Sequence, residues 1–284
     1  MCRAIHQHTW TIKEDDNRLA MDYEKAFQLI IPYLNSLCSQ NPGTLAEYTT
    51  SDKAISSIFI CPGMMNGNLR YVQPVVSLDA AHMKGRWGGT LFVASVLTGM
   101  DQIYPIAFSI TKSNKSCDTW TSFLENLSKA CPVLKSQHPL SRVTYRKFTF
   151  ISDRDKALDA VFPNNHSMSC AVHIQRNVQT KFGKKAAHFI PEITKTFSTR
   201  EETAVFNKLR QKHKRCYEYL VEIHPSKWRS SQWIVDQTLP PRFGLTSTNM
   251  SESLNNMFKE ARHATWLDAV DLIIDRMTSR ISEL

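Results

Sequence analysis

Two carboxylates stand at the ends of apolar runs. Asp79 closes Val75-Val76-Ser77-Leu78, and Asp153 closes the run from Lys147 to Ser152. A strand that terminates in an acid fixes that acid rigidly at a sheet edge, where its oxygens suit a hard divalent cation. Asp also opens turns and caps helices, and a helical pattern follows Asp153 directly, so the structural role stands beside the chemical one. A third acid, Glu252, lies three residues after Asn249, the spacing of an N-terminal capping box. Leu254, Met257, Phe258 and Ala261 form the apolar stripe of that helix and leave Glu252 on a polar face with Asn255, Asn256 and Lys259. Asp155 is the rival to Asp153, although its place on the following helix ties it less rigidly to the sheet.

Cys170 and His173 form a Cys-x-x-His pair. A structural zinc takes four ligands, and His166 and His188 are the further candidates nearby in sequence. The alternative is a buried Cys170 beside a His173 that is structural or contacts DNA. The chain contains no phosphate-binding Gly-Lys loop, dinucleotide glycine fingerprint, serine-hydrolase elbow or His-Glu-x-x-His motif.

The 284 residues are enough for one large domain or two modest ones, and an apolar fraction of 42% with six tryptophans speaks for a globular core. Lys and Arg number 35 against 26 acids, a net charge of +9 that favours a polyanionic partner such as nucleic acid. Seven scattered cysteines show no Cys-x-x-Cys spacing, the N-terminus lacks the apolar core of a signal peptide, and no apolar run is long enough to span a bilayer. These features point to a reducing compartment, nuclear or cytosolic, and not to secretion or a membrane.

The elements that must position the acids follow from periodicity. The sequence predicts an amphipathic helix over residues 21–40, with Tyr23, Phe27, Ile30, Ile31, Leu34 and Cys38 at helical spacing and Asn41-Pro42-Gly43 as its stop. A less regular stretch to Leu69 includes one strand at Ile55–Ile60. Strands are then expected at Val75–Leu78, Leu91–Leu97 and Ile103–Ile110, an antiparallel meander turning at Gly85–Gly89 and Gly99–Gln102. Asp118 or Thr119 caps a helix carrying Trp120, Phe123, Leu124 and Leu127 on one face. A fourth strand at Lys147–Ser152, a short helix through Ala157 and Val161, a fifth strand at Ser169–Val172 and a helix from His173 follow. Residues 184–241 are helical throughout and carry the basic cluster Lys208, Arg210, Lys212, Lys214 and Arg215. Two helices close the chain, Ser251–Arg262 and Trp266–Ile281. This order fits an α/β (α+β) sheet domain interrupted by a helical insertion. It divides the chain into a pre-core segment (1–70), a core (71–183), the insertion (184–243) and C-terminal helices that complete the core (244–284).

Taken in order, these residues resemble the catalytic core of Mutator-like element (MULE) transposases. Asp79-Ala80-Ala81-His82-Met83-Lys84-Gly85 is similar to the family's DGxxLKG segment and is followed, as there, by Gly88-Gly89. Gln102-Ile103-Tyr104-Pro105-Ile106-Ala107-Phe108 and Trp120 resemble the next strand and the opening of the next helix. Ser152-Asp153-Arg154-Asp155-Lys156-Ala157-Leu158 is similar to SDxxKGL, and Phe162-Pro163, Cys170-x-x-His173 and Asn177 to the stretch after it. Thr248-Asn249-x-x-Glu252-x-x-Asn255 and Ala261-Arg262 resemble the SNxxESxN and AR segments, and Asn41-Pro42-Gly43-Thr44 the end of the pre-core helix. The likeness runs from residue 21 to the end. Ala80 departs from it where Gly is common, and Lys115 where an acid is frequent. The zinc-finger modules that often flank such cores are not visible, which leaves a fragment, a degenerate copy or a domesticated remnant as readings.

The resemblance implies an RNase H-like fold and a DDE site in which Asp79, Asp153 and Glu252 are the catalytic, metal-binding acids. Three gathered carboxylates repel one another unless cations neutralise them. Mg²⁺ or Mn²⁺ fits the oxygen donors, and two ions about 3.5–4 Å apart suit in-line phosphodiester chemistry. The implied reaction is DNA cleavage at element ends and strand transfer into target DNA, with a homo-oligomer in the DNA complex as one expectation. Lys84, Arg86 and the Lys208–Arg215 cluster would hold phosphates without reading sequence. The alternatives are an inactive, transposase-derived DNA-binding or regulatory protein and an RNase H-like nuclease that does not transpose.

Overall fold

The computed structural model describes residues 16–52, 54–135, 148–152, 156–239, 245, 253–254 and 256–281. Its centre is a seven-stranded sheet. The strands are β1 (Leu45–Ser51), β2 (Ala54–Cys61), β3 (Val72–His82), β4 (Thr90–Thr98), β5 (Ile103–Thr111), β6 (Thr149–Ser152) and β7 (His166–Ser169), in the order β1-β2-β5-β4-β3-β6-β7. The first five pair antiparallel, whereas β6 joins β3 and β7 joins β6 in parallel. β4, Thr-Leu-Phe-Val-Ala-Ser-Val-Leu-Thr, is buried at every position, as a central strand covered on both faces must be.

Helices cover both faces. They are α1 (Asp16–Gln40), α2 (Gly63–Gly67), α3 (Cys117–Ala130), α4 (Lys156–Val161), α5 (Ala171–Phe182), α6 (Lys184–Ala187), α7 (Phe189–Lys195), α8 (Thr199–Lys212), α9 (Lys214–Val221), α10 (Gln232–Val235) and α11 (Trp266–Ile281). On one face Trp120 and Phe123 of α3 stack against Phe92 of β4 at 4.8 and 5.7 Å, and α4 sends Ala157 and Leu158 into the same core. A parallel β6–β7 pair needs a crossover between its strands, and α4 supplies it. On the other face α1 and α11 pack together, with Tyr33 donating its hydroxyl to Asp271 at 3.1 Å. Ile30 and Leu34 of α1 and Ile58, Phe59 and Ile60 of β2 are buried in the same core as the later strands, so the chain before residue 70 builds part of this sheet. From α5 to Trp228 a second apolar cluster forms, centred on Ile174, Val178, Ile190, Leu209, Leu220 and Trp228. This mixed sheet flanked by helices is consistent with the RNase H-like α+β fold.

Several elements differ from the periodicity reading. β3 does not stop at Asp79: pairing with β4 carries it to His82, so the acid lies inside the strand. α3 is capped by Ser116, whose hydroxyl accepts from Thr119 N–H while Thr119 reciprocates, which places Asp118 and Thr119 within the first turn. β7 is His166–Ser169, and Val172 belongs to α5. β1 gives no periodic signal because it is an edge strand with half its residues exposed and no apolar alternation.

Candidate active site

Side chains alternate along a strand. Leu78 and Ala80 of β3 therefore enter the α3 side of the core, and Asp79 shares the opposite face with Val75 and Ser77. Asp79 is half-buried and stands level with Val93 of β4. On its other side the parallel register sets Ser77 level with Ile151 and hence Leu78 with Ser152, so Asp79 is one step beyond Ser152 along the sheet. Two covers approach this face and leave Asp79 between them. Leu254, Phe258, Trp266 and the rest of α11 cover the β4–β5 side. Trp233, Leu245 and Val172 cover Val75, Ile151, Met168 and Cys170 on the β6–β7 side.

Polar atoms line the gap. Ser77 and Ser95 face each other across β3 and β4, both fully buried. The Ser95 and Thr149 hydroxyls are buried with no hydrogen-bond partner among the described residues, which is uncommon inside an ordinary core. Cys170 extends the β6–β7 ladder by donating its N–H to Ser152 O at 2.9 Å. The Cys-x-x-His pair therefore sits at the same sheet edge as Asp79, with Cys170 buried and His173 half-buried in the first turn of α5. His166 gives Nε2 to the Ser226 carbonyl at 3.2 Å, and the exposed His188 lies near Glu192 at 3.9 Å. Among the described residues no three His, Cys, Asp or Glu side chains gather as a metal would need. Asp153, Asp155 and Glu252 lie outside the described residues.

The loop after β3 is clasped by the segment before α11. Lys84 and Gly85 donate their N–H groups to Arg262 O at 2.6 and 3.0 Å, Arg262 Nε donates to His82 O at 3.1 Å, and Trp266 Nε1 donates to Gly88 O at 3.3 Å. Two glycines are required here. A Cβ on Gly85 would stand 2.6 Å from Ala264 O, and one on Gly89, whose φ is +104°, would stand 2.4 Å from Thr111 O. Lys84 and Arg86 project from this loop, exposed. Lys115, to which periodicity gives no role, donates its ammonium to Ala80 O next to Asp79. No sequence pattern signals that contact, which closes over 35 residues. The Lys208–Arg215 cluster is elsewhere, at the turn between α8 and α9.

Asp79 is thus a half-buried aspartate inside β3 of a mixed sheet consistent with the RNase H-like fold, one step beyond the carboxyl end of the parallel β6. Residues 75–177 match the family described as MULE transposase domain, so that stretch is similar to such domains. It includes β3 to the first half of α5, and with them Asp79, Asp153, Cys170 and His173. Among curated proteins none matches the chain. No helix among the described residues is long and apolar enough to cross a membrane.

Proposed function

We propose that the chain is the catalytic core of a MULE-type DDE transposase, with Asp79, Asp153 and Glu252 as its metal-binding acids. The observation that carries this is the register of β3 against β6. Ser77 and Ile151 are level and on the face that Asp79 shares, and Asp153 follows Ile151 by two residues in the sequence. Glu252 precedes the buried Leu254 by two residues, and the segment from Leu254 to Arg262 is anchored at one end to the same core as Leu78 and at the other to His82.

The proposed donors, all carboxylate oxygens, suit Mg²⁺ or Mn²⁺. Bound there, such ions would supply charge neutralisation and activation of the attacking oxygen. The chain's own groups hold the substrate: Lys84, Arg86 and Lys115 put three cations around the end of β3, where phosphates of a DNA strand would lie. Nuclear action on DNA, at element ends and in target DNA, follows from this reading. The test is cleavage of labelled duplex DNA carrying the element's ends in Mg²⁺ or Mn²⁺. Metal-dependent strand breaks that vanish in Asp153→Asn and Glu252→Gln support the triad. Cleavage that survives both substitutions refutes it.

A second reading, a transposase-derived DNA-binding protein without catalysis, is favoured by one feature. The Lys115 ammonium is bound to the carbonyl of Ala80, the residue after Asp79, a cation that the chain itself holds at the end of β3.

A further inference from the structure

The helical block carries nearly all of the chain's excess charge. Residues 171–229 hold thirteen Lys and Arg against five acids, net +8 of the chain's +9. The sequence draws attention to one run, Lys208 to Arg215. The structure brings a second run to it. Gly183, with φ +88°, breaks the chain sharply between α5 and α6, and the exposed Lys181, Lys184 and Lys185 flank that break. Phe189 then meets His213, the residue between α8 and α9, at 6.1 Å, and Phe182 meets Tyr219 of α9 at 5.6 Å. These contacts set the α5–α6 break beside α9 and the start of α7 beside the turn between α8 and α9.

The cations there are organised on rings. Lys181 Nζ lies 4.3 Å from the centre of Tyr219, and the Arg210 guanidinium 5.6 Å from Tyr217. Only Lys214 has a carboxylate partner among the described residues, Glu218 at 4.0 Å. A solvated helix face of ordinary composition would intersperse acids with these bases. α5 starts at the sheet edge beside Ser152, where Val172 packs against Ile151 and Met168, and it also packs against α6, α7 and α9. Twelve residues at about 1.5 Å each carry its far end about 18 Å from that edge, or about five base pairs of duplex at 3.4 Å per step.

We infer that this end of the block is a single phosphate-binding surface for duplex DNA, to which Lys181, Lys184 and Lys185 contribute together with Arg210, Lys212, Lys214 and Arg215. It grips the duplex away from the sheet edge. Its place relative to the cut phosphate, though not its affinity for duplex, rests on the transposase reading above.

The probe is a fluorescein-labelled 30-base-pair duplex of random sequence, with binding followed by anisotropy between 50 and 200 mM salt. The triple variant K181Q/K184Q/K185Q should flatten the slope of log affinity against log salt by two to three, about 0.9 for each phosphate that is no longer neutralised. The triple Lys→Arg variant should keep the slope. Equal slopes for wild type and the Gln variant, with the Gln variant folded as judged by its melting curve, overturn the proposal. So does a flattened slope in the Arg variant, because charge would then not be the cause. Asp79→Asn run in parallel separates the two readings: abolished cleavage with an unchanged slope upholds both, whereas undiminished cleavage refutes the transposase site and leaves the surface to be judged on its own slope.

Discussion

Arg262 donates its Nε–H to the carbonyl oxygen of His82 at 3.1 Å across 180 residues of sequence. Together with the two N–H bonds that the Arg262 carbonyl accepts from Lys84 and Gly85, this bond ties the segment that follows Glu252 to the strand that carries Asp79. The hydrogen bond has a charged donor, worth about 1.5–3 kcal/mol when intact. Arg262→Met should therefore lower the unfolding free energy by about 1.5 kcal/mol, with Arg262→Lys recovering part of it. Urea denaturation measures both, and a Met variant as stable as wild type would remove the clasp from the account.

Gly85 gives the sharper test of the same junction. A methyl group there collides with the backbone at His263 and Ala264, so Gly85→Ala should cost about 1–3 kcal/mol by overpacking. Gly67 has nothing within 4 Å of its Cβ position and ends a helical turn. Gly67→Ala should be neutral or stabilise by up to about 1 kcal/mol. Melting temperatures that move the same way in both variants would contradict the packing described.

The helical block contains a buried ion pair, Arg229 Nη1 to Glu202 Oε1 at 3.1 Å, with Ser231 donating to the second carboxylate oxygen and Arg229 lying 4.2 Å over the Phe206 ring. Burial pushes the Glu202 carboxyl above its ordinary range, and attraction to Arg229 only partly offsets this. A carboxyl with a raised folded-state pKa makes the folded state the better proton binder. Its ionisation costs stability as pH rises from the unfolded value, about 4.3, through the raised folded one. Arg229→Met deletes the offsetting attraction and strands a buried charge, a loss of about 3–5 kcal/mol at neutral pH. The loss should be largest near pH 8 and shrink as pH falls toward the ordinary carboxylate range, because the raised Glu202 carboxyl takes up its proton above that range. Unfolding free energies measured relative to wild type at both ends check the sign, and a difference independent of pH would contradict it.

Periodicity reads best the elements that dominate their own packing. α11 matches both expected ends, and β4 and β5 each lie within a residue of expectation, because their apolar stripes are long and unmixed. The β7–α5 junction misleads because Met168, Cys170, Ala171, Val172 and Ile174 form a short apolar stretch that suits a strand or a buried helix equally. At the site, the apolar run before Asp79 is enough to single it out. The Arg262–His82 bond, the Lys115 contact with Ala80 and the meeting of Phe189 with His213 at the α8–α9 turn depend on long-range closure and leave no local trace.

Cysteine reactivity should follow burial. The Cys61 and Cys131 sulfurs lie 3.6 Å apart in the core, and contact with Cys61, then burial, drives the Cys131 thiol far above the ordinary range. Cys117 is exposed at the start of α3. Maleimide labelling of folded protein, read by peptide mass spectrometry, should modify Cys117 first and Cys61, Cys131, Cys170 and Cys216 more than about a hundredfold more slowly, since these wait for opening of the core. Early labelling of Cys131 would show that α3 does not pack as described.

The most direct test of the central claim is the thermal response of wild type and Asp79→Asn to Mg²⁺ or Mn²⁺, with cleavage of duplex DNA read on the same samples. Asn keeps the shape and removes one charge from the proposed triad. Without metal the variant should melt at or above the wild-type temperature, because repulsion among gathered carboxylates is relieved. With metal only the wild type should gain, by about 2.7 kcal/mol at a hundredfold excess over its dissociation constant, and only the wild type should cut DNA. Identical metal responses in the two proteins, with no cleavage by either, would contradict the catalytic site and leave a transposase fold that binds DNA without cutting it.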